Sequence, residues 1–100
     1  FSALMARLIW NQSDSPEGAV PFELGETSLV VGRDPKCGVF IDAPLLSREH
    51  ARIDYREGAH VLVDLESTNF TKVNGERIGE RVLRDGDQVH FSRAVCTYEA

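Results

Sequence analysis

Turn-forming pairs recur at short intervals along this chain and leave little room for a helix. Gly25-Glu26, Asp34-Pro35, Glu57-Gly58, Asn74-Gly75 and Asp85-Gly86-Asp87 each separate two brief apolar runs. Proline removes an amide and fixes φ, so Asp34-Pro35-Lys36 cannot continue a strand. Asn74-Gly75 is the strongest hairpin signal, because both residues tolerate the positive φ of a type I′ turn.

The runs between these breaks read as strands. Ala6, Leu8 and Trp10 alternate with Arg7, Ile9 and Asn11, then a polar loop covers Asn11 to Gly18. Pro21 places Val20-Pro21-Phe22 at a sheet edge. Ser28 to Val31, Val39 to Ile41, His60 to Leu65, Thr71 to Val73, Arg77-Ile78, Arg81 to Leu83, Val89 to Phe91 and Ala94 to Tyr98 follow. One segment is ambiguous: Leu46, His50 and Ile53 would share a helix face, yet Ala51, Ile53 and Tyr55 alternate strictly with Arg52, Asp54 and Arg56. The cleaner alternation, and the turn at Glu57-Gly58, favour a strand. The expected fold is all-β: a sandwich of two twisted, mostly antiparallel sheets with about eleven short strands and binding loops at one end.

One hundred residues suffice for one domain with its own core, so residues 1–100 are read as a single unit. The chain begins at Phe1 and is expected to be excised from a longer protein. The stretch from Ala3 to Trp10 is too short, and too interrupted by Arg7, to be an anchor or signal peptide; no membrane association is expected. Lysine and arginine number 11 against 16 acidic residues, a net charge of −5, the wrong sign for neutralising many backbone phosphates, so nucleic acid is not the expected partner. A single phosphate is a different case, because screening confines its field to roughly 8 Å. Cys37 and Cys96 stand far apart and read as small buried hydrophobes on strands, in a reducing, intracellular compartment.

Three polar clusters border apolar runs: Gly32-Arg33-Asp34, Leu46-Ser47-Arg48-Glu49-His50-Ala51, and Ser67-Thr68-Asn69. Hydroxyls and an amide beside a fixed guanidinium suit an oxyanion, and the expectation is that these segments are loop ends meeting at one pole. Ser47, His50 and Asp64 contain the residue types of a hydrolase triad, but no Gly-x-Ser-x-Gly elbow accompanies them, so catalysis is not expected. His50, His60 and His90 lack metal-ligand spacing; His60 and His90 are expected to face solvent, and neither metal nor cofactor is expected.

In order and spacing, Gly32-Arg33, Ser47 to Ala51, Asp64-Leu65 with Ser67-Thr68-Asn69, Val73-Asn74-Gly75, and Leu83 with Asp85-Gly86-Asp87 resemble the forkhead-associated (FHA) domain over about residues 27–98. The resemblance implies a non-catalytic module that reads phosphothreonine in a partner protein, written there by a Ser/Thr kinase, for signalling or assembly. It also implies that Arg33, Ser47 and Thr68 contact the phosphate and that Asn69 holds the peptide backbone. Arg48 contributes an amide or a flank contact, and Gly32, His50 and Asn74 support the binding loops. Lys36, Lys72 and Arg77 are read as loop cations available to tune the flanking residues. The family usually has glycine where this chain has Phe70, so either the backbone there sits at negative φ or the loop is reshaped. The alternative is a degenerate module that binds partners without phosphate.

Overall fold

A computed structural model describes residues 6–12 and 18–100. The start of the apolar Ala3–Trp10 stretch, and most of the loop expected over 11–18, lie outside the described residues. Eleven strands follow in order: β1 (Ala6–Asn11), β2 (Ala19–Leu24), β3 (Leu29–Gly32), β4 (Val39–Phe40), β5 (Ala51–Arg56), β6 (Ala59–Asp64), β7 (Thr71–Val73), β8 (Glu76–Arg77), β9 (Glu80–Val82), β10 (Gln88–Phe91) and β11 (Ala94–Glu99). The segment that could have been helix is β5.

The strands form two sheets, ordered β2-β1-β11-β10-β7-β8 and β4-β3-β5-β6-β9. Every pairing is antiparallel except that of β3 with β4. Pro21 lies in β2, an edge strand, where its missing amide costs no ladder bond. Alternation then decides the core. Leu8, Leu24, Val89, Phe91 and Cys96 point inward from one sheet, and Val31, Val39, Ile53 and Leu62 from the other, all at most 2% exposed. Burying each large aliphatic or aromatic side chain contributes about 1.5–3 kcal/mol.

Two expectations fail here. His60 does not face solvent: it is 3% exposed, with Nδ1 2.8 Å from the Tyr98 hydroxyl and Nε2 2.9 Å from the Gly25 carbonyl. It pairs with Tyr55 and lies two residues from Leu62, so it points inward; the near-continuous apolar run of β6 hid that phase. Cys37 is not on a strand but in the turn between β3 and β4, half-buried, with its thiol donating to the Arg48 carbonyl at 3.3 Å.

The antiparallel ladders sort the connections into two poles. Glu57-Gly58, Asn74-Gly75 and Asp85-Gly86 turn at one; the long segments 33–38, 41–50 and 65–70 come together at the other.

Candidate functional site

The three long segments are laced together by hydrogen bonds between residues distant in sequence. Arg33 N–H donates to the Ser47 carbonyl at 3.1 Å, and Asp34 N–H to the Arg48 carbonyl at 3.2 Å. Thr68 N–H donates to Ser47 Oγ at 3.3 Å, and Asn69 Nδ2 to the Leu45 carbonyl at 2.8 Å. The structure therefore brings Arg33, Ser47, Arg48, Thr68 and Asn69 to one pole.

Gly32 makes this approach possible by lacking a side chain. It lies in β3 without a positive φ, and a Cβ there would collide with the Arg48 carbonyl oxygen and stand 3.1 Å from Cys37 Sγ. The backbone of Arg48 thus occupies the space a side chain at position 32 would need.

His50 is completely buried and ties three segments. Its Nδ1 lies 3.2 Å from the Ser47 N–H and its Nε2 2.9 Å from the Phe70 carbonyl. A carbonyl can only accept, so Nε2 carries the proton and Nδ1 accepts. The His50 backbone also donates to Val31 and accepts from Leu65. Since neither ring nitrogen meets Asp64, no Ser-His-Asp relay exists. Asp64 instead accepts from the Ser67 amide and hydroxyl and, at 2.7 Å, from the Thr71 hydroxyl, shaping the 65–70 loop. An Asp three residues before a Ser was the available signal for this role. Asn74 lies at the other pole, donating to Asp87 Oδ1 and accepting from the Gln88 amide. Its support reaches the binding loops only through β7.

The donors left over face outward. Arg33 is exposed, and among the described residues no carboxylate pairs with it. Ser47 Oγ already accepts the Thr68 amide, which leaves its own O–H to donate elsewhere. Asn69 spends one side-chain N–H on Leu45 and keeps its carbonyl oxygen. The Arg48 guanidinium leans on Asp34 at 3.4 Å. Hydrogen bonding from the Lys36 amide, then the Arg48 charge, holds Asp34 below the usual carboxylate range, so it stays ionised beside the cations. A cleft of about 430 Å³ is lined by Arg33, Asp34, Pro35, Phe40, Asp42 and Arg48. The hydroxyls of Ser47 and Thr68 lie outside this lining, on the surface formed by the neighbouring loops. A larger hollow, about 530 Å³, lies at the other pole among Asn74, Arg84 and Asp87. It contains none of the converging donors.

Phe70 keeps the backbone shape of the glycine it replaces, with φ of +65°. Its ring lies under Arg77, whose guanidinium carbon is 3.5 Å from the ring centroid. Leu45, the residue that accepts from Asn69, is likewise left-handed at +71°. Both are uncommon for bulky residues and sit where strain tends to gather at binding sites.

Comparison with known proteins places this geometry. The FHA domain family model matches residues 29–92. Mouse Ki-67, the proliferation marker protein, is 37% identical over 98 residues, which cover 97% of this chain and 3% of that protein. The oxoglutarate dehydrogenase inhibitor of Corynebacterium efficiens is 33% identical over 78 residues, covering 78% of this chain and 55% of its own length. The chain thus spans about half of one curated relative and a small part of the other. An FHA domain solved for structural and functional analysis of phosphothreonine-dependent interactions superimposes with a TM-score of 0.82 at 26% identity, covering 94% of this chain and 96% of that one. With two sheets in this order and the matched blocks spanning β3 to β10, the chain belongs to the FHA domain family.

Proposed function

We propose that this domain binds phosphothreonine in a partner protein, without catalysis, and so makes an interaction depend on a Ser/Thr kinase. The observation that supports this most is the pole itself: a guanidinium at Arg33 with no carboxylate partner among the described residues, its backbone fastened to Ser47, beside a hydroxyl that among those residues only accepts. A phosphothreonine brings about −1.5 to −2 charges and three acceptor oxygens. The planar fork of Arg33 meets two oxygens at once. Ser47, Thr68 and the Arg48 amide supply further donors, and Asn69 offers an acceptor and a donor to the peptide backbone. Three or four charge-assisted bonds at about 1.5–3 kcal/mol each, offset by ordering the peptide, leave roughly micromolar binding. The setting is intracellular, where kinases write the mark, and the whole protein's partners are set by what else it carries.

The test is a fluorescence titration of one peptide as threonine, phosphothreonine and phosphoserine. Binding should require the phosphate, and Arg33→Ala should abolish the phosphate-dependent part. Equal affinity for plain and phosphorylated peptides overturns the reading. Because the second phosphate pKa is about 6, affinity should weaken from pH 7.5 to 5.5. The rival reading, a phosphate-independent module, rests on Phe70 and on the acidic net charge. The Phe70 ring lies against Arg77 and does not line the Arg33 cleft, which supports the phosphate reading over its rival.

A further inference from the structure

Two of the cations that the phosphate site leaves unused lie side by side. Lys72 and Arg77 are on strands rather than loops, directly opposite each other in the β7–β8 ladder, and Lys72 is also paired with His90 of β10. Residues opposite one another share a face. Lys72 alternates with the buried Thr71 and Val73, so this row of Arg77, Lys72 and His90 faces outward from the six-stranded sheet.

Like charges directly opposite in a ladder repel, and such a pair costs stability unless an anion lies on it. This chain has acids to spare. Arg7, Arg48, Arg52, Arg56 and Arg81 each reach a carboxylate within 3.4 Å. Among the described residues Lys72 and Arg77 reach none. His90 Nδ1 is buried in the same row with no hydrogen-bond partner there. The row also adjoins the phosphate loops. Asn69 and Phe70 are consecutive, the Phe70 ring lies 3.5 Å beneath the Arg77 guanidinium, and the Phe70 carbonyl is held by His50 and by the Ser92 amide.

We propose that Arg77, Lys72 and His90 form a second anion subsite, which takes an acidic segment of the same polypeptide whose phosphothreonine occupies the Arg33 pole. The proposal rests on the phosphothreonine reading and deepens it. The four residue steps from Thr68 to Lys72 span at most about 14 Å of chain, so the acidic residues sit roughly four positions from the phosphothreonine. Phe70 and Arg77 form the bridge between the subsites: the ring holds the guanidinium by its face and leaves its N–H edge for a carboxylate. Charge on the peptide thereby selects among phosphorylated partners that the first subsite alone would treat alike.

The experiment compares three phosphothreonine peptides by fluorescence anisotropy at low salt. One has neutral flanks, one has three glutamates beginning four residues before the phosphothreonine, and one has them beginning four residues after it. The readout is each acidic peptide's affinity divided by that of the neutral peptide. One of the two ratios should be about five in the native domain, consistent with two surface charge contacts, and should fall towards one in 0.5 M salt. Lys72→Glu should bring it to one or below, and Lys72→Gln should roughly halve it, with the neutral peptide unaffected. Ratios of one for both acidic peptides, or a ratio unchanged by Lys72→Glu, overturn the proposal while leaving phosphothreonine binding standing. Failure of every phosphothreonine peptide to bind better than its unphosphorylated form removes both readings. A single-stranded oligonucleotide of equal charge that binds more tightly than the acidic peptide, and does so through Lys72, would make the row a nucleic-acid surface instead.

Discussion

At the pole of short turns, left-handed backbone falls mostly on residues that adopt it at little cost: Gly58, Gly75, Gly86 and Asn74, with Glu57 the exception. At the Arg33 pole it falls on Leu45, Glu66, Phe70 and Ser92, with Gly18 the exception. A left-handed conformation costs an ordinary residue roughly 1–2 kcal/mol. The turn pole is therefore specified locally, residue by residue. The binding pole is held against its own preferences by long-range bonds: His50 to Phe70, Asn69 to Leu45, Arg33 to Ser47. What such lacing provides is a set of loops whose side chains stay spread for a ligand rather than folding onto one another.

The most direct way to break this contrast is to cut the lacing. His50→Ala strands the Ser47 amide, leaves the Phe70 carbonyl with the Ser92 amide alone, and opens a cavity beside Phe91, whose ring lies edge-on 5.8 Å away. It should cost about 4 kcal/mol in urea unfolding and lower phosphopeptide affinity as well. A loss under 1 kcal/mol would mean the loops hold without it.

Gly32→Ala should follow at about 3 kcal/mol, because the new methyl must displace backbone rather than a flexible side chain. Any residual binding should be weak, since the Arg48 carbonyl that moves also anchors Asp34 beside Arg33. An Ala variant with native stability and affinity would contradict the close approach.

Acid should strike nearer the turn pole first. Burial alone would raise the Asp54 carboxyl, but hydrogen bonds from Arg52, Arg56 and Ser28 outweigh it and bring it down to about 2. A depressed carboxylate stabilises the fold above its unfolded value near 4 and ceases to do so as pH falls through about 2, a change of about 2 kcal/mol. Unfolding midpoints at pH 7 and pH 2.5 should therefore differ more in the native domain than in Asp54→Asn. Equal pH dependence in the two would place the acid-sensitive group elsewhere.

The smallest effects sharpen the comparison most, because they differ in sign. Phe70→Gly relieves left-handed strain but gives up the Arg77 contact, and should stabilise by about 0.5–1 kcal/mol. Gly75→Ala should destabilise by about 1 kcal/mol. If both destabilise alike in thermal melts, strain is not concentrated at the binding pole.

Legibility in the sequence follows the same division. The Glu57-Gly58, Asn74-Gly75 and Asp85-Gly86 turns are written in adjacent letters, and most of the strands between them show in their apolar patterning. The residue types of the anion site were legible too, since Arg33, Ser47 and Thr68 are chemically apt wherever they stand. What stayed hidden depends on partners far along the chain. Gly32 is needed because of Arg48, sixteen positions on. His60 is buried on a continuously apolar strand whose pattern conceals which side faces in, and Asp64 organises a loop that local composition describes only as polar. Cys37 looked like a strand residue because its neighbours on one side are apolar.

The single parallel pairing among the described residues carries an implication for how this domain can diversify. Val31 opposite Val39, Gly32 opposite Phe40, and the Ile41 amide on the Gly32 carbonyl close the segment 33–38 like a purse-string. Arg33 sits at the drawn neck, whereas Pro35 and Lys36 ride on the free rim. Side-chain changes at Pro35 and Lys36 therefore alter the surface a partner meets while the backbone bond from Arg33 to Ser47 keeps the guanidinium at the neck.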